Sequence, residues 1–160
     1  MTREQFINHV EATRGALMRF LVALCCGDSA LADDIAQEAY MKAYVALPTI
    51  RDESRFKAWL FRTAYNTFLN NKRRSTVVAA PYEAALEVAG GEGADAGFAY
   101  QELYAALNLL TDVERTSVLL YYMEDYPVRE IAEMQQTTPE AVRQHLSRGR
   151  RHLRSLLTPQ

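Results

Sequence analysis

An all-α chain of two small helical domains joined by a flexible linker, the second domain a helix-turn-helix, is the fold class this sequence predicts. Three observations predict it. Apolar residues recur at three- and four-residue spacing through most of the chain, and no segment alternates as a half-buried strand does. The stretch Ala89 to Gly97 holds four of the seven glycines and no large apolar residue, which reads as a flexible linker. The last third places a short helical segment, a polar turn and an Arg-rich amphipathic segment in succession, the order of a helix-turn-helix.

Residues 3–25 read as a first helix on Phe6, Val10, Leu17, Phe20, Leu21 and Leu24. Gly27-Asp28-Ser29 breaks it and caps the next. That helix covers 30–47, with Leu31, Ile35, Ala39 and Ala43 as its buried stripe, and Pro48 ends it. A loop from Thr49 to Ser54 leads into a third helix from Arg55 to about Arg74, whose apolar stripe is Phe56, Trp59, Leu60, Ala64 and Phe68. The domain boundaries follow: an N-terminal domain over 1–75, an acidic Gly/Ala-rich linker over 76–97, and a C-terminal domain over 98–160. In the latter a helix spans 98–110. Thr111-Asp112-Val113-Glu114 fits a capping box and opens a helix to about Glu124. Pro127 opens a short helix through Met134. Thr138 is a good N-cap, with Pro139 and Glu140 in the first turn of a last helix reaching Leu157.

The 160 residues are 49% hydrophobic and 24% charged, an ordinary globular composition. No apolar run is long enough to span a bilayer, and no signal peptide is recognisable. Cys25 and Cys26 are adjacent and lie in an apolar run, which fits buried structural thiols in a reducing cytoplasm rather than a disulfide. No Gly-rich phosphate loop, metal-ligand cluster or nucleophile–base pair stands out. An enzyme, a metal site, a cofactor and a small-molecule substrate are therefore not expected.

The net charge of −2 is unevenly spread. Residues 51–77 carry seven Lys/Arg and two Asp/Glu, residues 78–125 one and nine, and residues 126–160 six and three. Two basic segments around an acidic block suggest two phosphate-contacting surfaces. In the last helix Arg143, Gln144, His145, Ser147, Arg148, Arg150 and Arg151 lie off the stripe Val142, Leu146, Leu153 and Leu156. Its N-terminal turns suit base edges in a major groove, and the later Arg residues suit phosphates. A solvated basic helix is the plain alternative. Residues 51–74 interleave cations with Phe56, Trp59, Phe61 and Tyr65, and add Asn66, Asn70 and Asn71. That mixture suits partly melted DNA, although Phe56 and Trp59 at helical spacing also read as core. Asp34, Gln37, Glu38 and Met41 share one helix face, which is either a solvated surface or a docking face.

At these residues the chain resembles the extracytoplasmic-function group of the sigma-70 family of bacterial RNA polymerase sigma factors. Asp33 to Tyr44 is similar to the family's core-polymerase-binding helix. Arg55 to Asn66 is similar to the segment associated with opening and reading the −10 element. Glu130-Ile131-Ala132-Glu133 and Val142 to Arg150 are similar to parts of the domain that reads the −35 element. The match covers both domains in order. It departs in the turn, where Gln135-Gln136-Thr137-Thr138 lacks the usual Gly, and at Pro127, which replaces a capping Ser.

The resemblance implies partners and sites. Core RNA polymerase would bind Asp33, Asp34, Gln37, Glu38 and Met41. The downstream promoter element would bind Arg51, Asp52, Ser54, Arg55, Lys57, Arg62, Asn66, Asn70, Arg73 and Arg74. The upstream element would bind Thr138, Glu140, Arg143, Gln144, His145, Ser147, Arg148, Arg150 and Arg151. An anti-sigma factor is a further implied partner. Two other functions fit parts of the sequence. A stand-alone helix-turn-helix regulator would need a dimer surface or effector domain, and residues 1–75 look like neither. A sigma mimic that sequesters an anti-sigma factor need not keep the cations Arg143, Arg148, Arg150 and Arg151.

Overall fold

A computed structural model of the chain describes residues 1–77 and 94–157, with side chains for 1–73 and 100–157. The described residues form helices and no strand. In order these are α1 (Arg3–Leu24), α2 (Ser29–Val45), α3 (Phe56–Val77), α4 (Ala94–Asn108), α5 (Asp112–Val118), α6 (Val128–Gln135) and α7 (Pro139–Leu157). Two 3₁₀ turns, Leu47–Thr49 and Glu53–Arg55, lie between α2 and α3. The chain divides into two compact units, Met1–Leu21 with Ala30–Ala85 and Val22–Ser29 with Leu86–Gln160.

The first unit buries Leu17, Phe20 and Leu21 of α1, Ala32, Ile35, Ala36, Ala39 and Ala43 of α2, and Phe56, Leu60, Phe61, Ala64, Tyr65 and Phe68 of α3. Small residues on α2 allow close packing, while aromatics fill the rest; Phe20 and Phe61 meet at 5.2 Å between ring centroids. Lys42 donates to the buried hydroxyl of Thr67 at 3.0 Å, fastening α2 to α3. Leu31, expected in the core, is only half-buried. Helix α2 stops at Val45, two residues before the expected end. Pro48 has no N–H to continue the α-helical ladder, and the chain tightens into the first 3₁₀ turn instead.

In the second unit the segment after α1 turns sharply. Cys26 and Gly27 both adopt positive φ, +54° and +93°. A Cβ on Gly27 would lie 2.9 Å from the Tyr104 ring, so close packing and backbone sign both select glycine there. The two cysteines are half-buried in this turn rather than buried in a helix core, and they form no disulfide. Arg115 is almost completely buried and donates to the carbonyls of Leu24 at 3.0 Å, Leu107 at 2.8 Å, Asn108 at 3.4 Å and Leu110 at 3.3 Å. The guanidinium thus satisfies carbonyls left unpaired where α4 ends.

The capping box is present: Glu114 N–H donates to Thr111 Oγ1 and Thr111 N–H to Glu114 Oε1, each at 3.2 Å. The helix it opens passes at Leu119–Met123 into a π-helical turn before reaching Glu124. Helix α4 begins at Ala94, not 98, since Ala94, Asp95 and Ala96 are good residues for a helix start. Helix α3 continues to Val77. Both findings shorten the expected linker, and its remaining residues, 78–93, lie outside the described ones.

The helix-turn-helix is α6 and α7. Pro127 stands as the N-cap of α6 rather than in its first turn. Without a glycine, Gln136 itself takes the left-handed conformation, φ +54° and ψ +50°. Thr138 accepts from Ala141 N–H at 3.1 Å and caps α7. Gln135 closes α6, donating to Val113 O at 3.3 Å and Ser117 Oγ at 3.0 Å of α5. Helix α7 crosses α5 at Gly149, where a Cβ would lie 2.7 Å from Val118 Cγ2.

These two positions predict opposite effects. Gln136→Gly removes left-handed strain and should stabilise the second unit by about 0.5–1 kcal/mol. Gly149→Ala overpacks the α5–α7 contact and should cost about 1–3 kcal/mol. Urea unfolding of the full chain, read at NMR signals of the second unit, measures both.

Candidate nucleic-acid interface

The turn geometry gives α7 one buried and one open side. Val142, Leu146 and Gly149 face the core, with Leu153 half-buried. Leu156, expected to extend this stripe, is exposed at the helix end. Opposite, Glu140, Arg143, Gln144, Ser147, Arg148 and Arg151 are all exposed, spaced so that they form one continuous stripe from the capped N-terminus. Arg143 lies 3.8 Å from Glu140, an exposed i,i+3 pair that breaks easily for a base or phosphate.

Three of the expected residues are engaged elsewhere. Thr138 spends its hydroxyl on the cap. Arg150 leaves the stripe and donates to Tyr122 Oη at 2.9 Å. His145 is half-buried and its Nδ1 is sealed without a hydrogen-bond partner. Removal from water pushes the His145 pKa below its ordinary value; Glu114 opposes this and Arg148 adds to it. His145 therefore offers at most its other nitrogen. Glu114 is buried and also lies 3.4 Å from Nδ1 of His152, one turn beyond Gly149. The same carboxylate closes the α5 capping box and borders α7.

In the first unit, Arg51, Asp52, Ser54 and Arg55 are exposed in the loop, and Lys57, Arg62, Asn66, Asn70 and Arg73 are exposed on α3. Arg62, Asn66, Asn70 and Arg73 fall four, four and three residues apart on a single face. The Arg74 side chain lies outside the described residues. The loop is ordered by its own polar groups. Asp52 Oδ1 accepts from Ser54 N–H at 3.1 Å and Ser54 Oγ at 2.6 Å, and Arg55 Nε is 3.7 Å from Asp52 Oδ2. The Ser54 hydrogen bonds hold the Asp52 carboxyl below the usual carboxylate range. The aromatics do not offer a platform for bases: Phe56, Phe61 and Tyr65 are core, and Trp59 is half-buried against Phe56. Helix α3 buries a wider apolar face than a narrow stripe, so these rings turn inward.

On α2, Asp33, Asp34, Gln37 and Met41 are exposed and Glu38 partly so. Gln37 donates to Asp33 at 3.0 Å, and Glu38 is 4.0 Å from Lys42. The exposed apolar surface goes beyond Met41 to Tyr44 and Val45, 52% and 80% exposed. Neither was singled out from the sequence, although Val45 continues the 34, 38, 41 spacing. An acidic face ending in exposed apolar residues is unlike a simple solvated surface.

Residues 9–77 match the family described as Sigma-70 region 2, and residues 100–153 match Sigma-70, region 4. The chain is 31% identical over 144 residues to the ECF RNA polymerase sigma factor SigW of Bacillus subtilis (strain 168), covering 79% of this chain and 75% of the relative. The chain belongs to the ECF group of sigma factors. As an alternative sigma factor it binds core RNA polymerase and directs promoter recognition and transcription initiation. Its fold is shared with the sigma factor RpoE, solved in complex with the anti-sigma factor NepR from Bartonella quintana (TM-score 0.76, 24% identity, 95% of this chain and 96% of that one). It is shared also with CnrH, solved with the cytosolic domain of CnrY (TM-score 0.74, 22% identity, 98% and 89%). Among the described residues of this sigma factor, no helix is long and apolar enough to cross a membrane, and no His/Cys/Asp/Glu cluster is arranged for a metal.

The depressed His145 pKa has a sign. The unfolded chain takes a proton at the ordinary value near 6.5 before the folded one does. Stability is thus fully present above that value and is lost as pH falls toward the folded pKa. Protection factors of α7 amides in the full chain should fall from about pH 7 to about pH 5. His145→Leu should flatten that fall; an unchanged slope would show that another group carries it.

Proposed function

We propose that this sigma factor divides its work among three surfaces, and the carrying observation is the open stripe Glu140–Arg151 on a helix capped and packed on its other side. Helix α7 enters the major groove of the upstream promoter element with Arg143 and Gln144 toward base edges. Ser147, Arg148 and Arg151 meet phosphates. The loop Arg51 to Ser54 and the α3 face Arg62–Asn66–Asn70–Arg73 hold a melted stretch of the downstream element, where a polar pocket offsets the cost of an unstacked base. Helix α2 docks on core polymerase through Asp34, Gln37, Glu38 and Met41. Residues 1–75 and 98–160 are the domains that carry these roles.

The protein acts in the cytoplasm and without a catalytic step of its own. An anti-sigma factor holds it inactive; in support, the sigma factor RpoE, which shares its fold, was solved in complex with the anti-sigma factor NepR. The stand-alone regulator reading loses ground to the family membership of both halves of the chain.

Arg143→Ala should relax base preference at one upstream position and cost about 1–3 kcal/mol there, whereas Arg151→Ala should weaken binding evenly across sequences. Promoter-library transcription with the holoenzyme distinguishes the two, and identical base preference after the Arg143 change would remove its reading role. Reversing charge at Asp34 and Glu38 together should lower affinity for core polymerase while the far-UV circular dichroism stays helical. Unchanged affinity in a titration would move core binding to another surface.

A further inference from the structure

The loop proposed to trap a melted base does not stand alone. It is gripped by α1, a helix with no assigned part in promoter contact. Glu53 sits between Asp52 and Ser54, the residues that order the loop, and its carboxylate reaches α1. His9 Nε2 lies 2.7 Å from Glu53 Oε1, and Gln5 Nε2 donates to Glu53 Oε2 at 3.4 Å. The His9 ring also packs on Phe56, at 5.2 Å between centroids, and Phe6 meets the same ring edge-on at 6.0 Å. Phe56 is fully buried and is the first residue of α3. One turn of α1 therefore touches the loop's middle residue and the anchor on which the loop ends.

Magnitudes argue that this contact serves position rather than stability. The His9 and Glu53 side chains keep 27% and 48% of their exposure, and exposed pairs contribute only about 0–1 kcal/mol. The core beneath them does not need it, since Phe56 is already sealed. What the pair fixes is the orientation of a short loop whose other polar side chains, Asp52, Ser54 and Arg55, pair only locally, within four residues of one another. Base capture depends on such orientation, because an unstacked base is held only by a pocket formed beforehand.

We propose that His9 and Glu53 are positioning residues for promoter opening, a latch that holds the Arg51–Ser54 loop ready for the displaced base. The inference rests on the base-trapping reading of that loop. It assigns α1 a role in strand opening that neither the loop's nor α3's own residues supply.

The test uses the full chain with core RNA polymerase, on a duplex promoter selected from a randomised library and on the same sequence carrying a pre-melted bubble. His9→Ala and Glu53→Ala should each lower run-off transcription from the duplex by about fivefold, the upper range for one exposed pair. The bubble should restore it to near the unaltered level. The double variant should be no worse than the weaker single, because both remove one contact. His9→Gln, which keeps a donor at similar reach, should recover duplex activity. Amide exchange at residues 50–55 should quicken in the Ala variants while thermal stability changes little. Losses that multiply in the double variant, equal losses on both templates, or unaltered duplex activity would each overturn the latch. Asn66→Ala with a shortened loop is the control. If it fails equally on duplex and bubble, the base-trapping reading itself is wrong. If it fails on duplex alone while His9 and Glu53 variants do not, only the latch is lost.

Discussion

Two helix backbones meet closely at Gly149, and the second unit is organised around that contact. The neighbouring Val118 methyl leaves no room for a side chain. The approach fixes which side of α7 is buried, and so which residues form the open stripe. It also brings Glu114 against α7. A capping-box carboxylate normally serves only its own helix start. Here it is buried, with His152 at 3.4 Å and the sealed Nδ1 of half-buried His145 nearby. Gln135 adds a third tie, from the end of α6 to Val113 and Ser117 of α5. Helix α5 therefore acts as the frame to which both helices of the helix-turn-helix are fastened.

The first unit solves a different problem. The residues proposed to meet DNA there are in a loop and on one helix face, and loops are ordinarily mobile. Order comes from local groups first: Asp52 and Ser54 bond to each other, and one 3₁₀ turn precedes the loop while a second forms its end. Burial of Phe56, Phe61 and Tyr65 then pins α3 beneath it. The aromatics that looked available for stacking are what makes the polar face rigid. On the proposed reading, recognition there falls to Asn and Arg side chains presented from a stiff support.

Local signals in the sequence were legible and long-range ones were not. The caps at Thr111 and Thr138 depend on residues three apart, and both are in the structure. Helix starts and ends fell within a few residues, since Gly, Pro and capping residues act nearest-neighbour. The exceptions have tertiary causes. Gln136 adopts a left-handed conformation that its own chemistry disfavours, because the helices on either side, one tied to α5 through Gln135 and the other packed on it at Gly149, demand a tight turn. Arg115 looked like one cation in an acidic block, yet it is buried on four carbonyls, the farthest at Leu24. The His9–Glu53 contact joins residues 44 positions apart. No periodicity points to such a pair. The stripe on α7 was legible as a set, but not that Arg150 and His145 turn away from it.

A protein of net charge −2 that works on DNA needs its cations placed and restrained. Several exposed ones are accompanied: Arg143 by Glu140 and Arg55 by Asp52. An exposed pair costs little to open, so a phosphate or base edge can replace the carboxylate. The carboxylate nonetheless subtracts from attraction to any stretch of duplex. Non-specific binding, which scales with the number of phosphates neutralised, is thereby kept low for each unit alone. Useful affinity must then come from both units engaging at once on core polymerase, where the second contact becomes intramolecular and gains effective concentration rather than new charge. Weak, accompanied cations on two rigid supports thus favour the holoenzyme over the free chain as the species that finds a promoter.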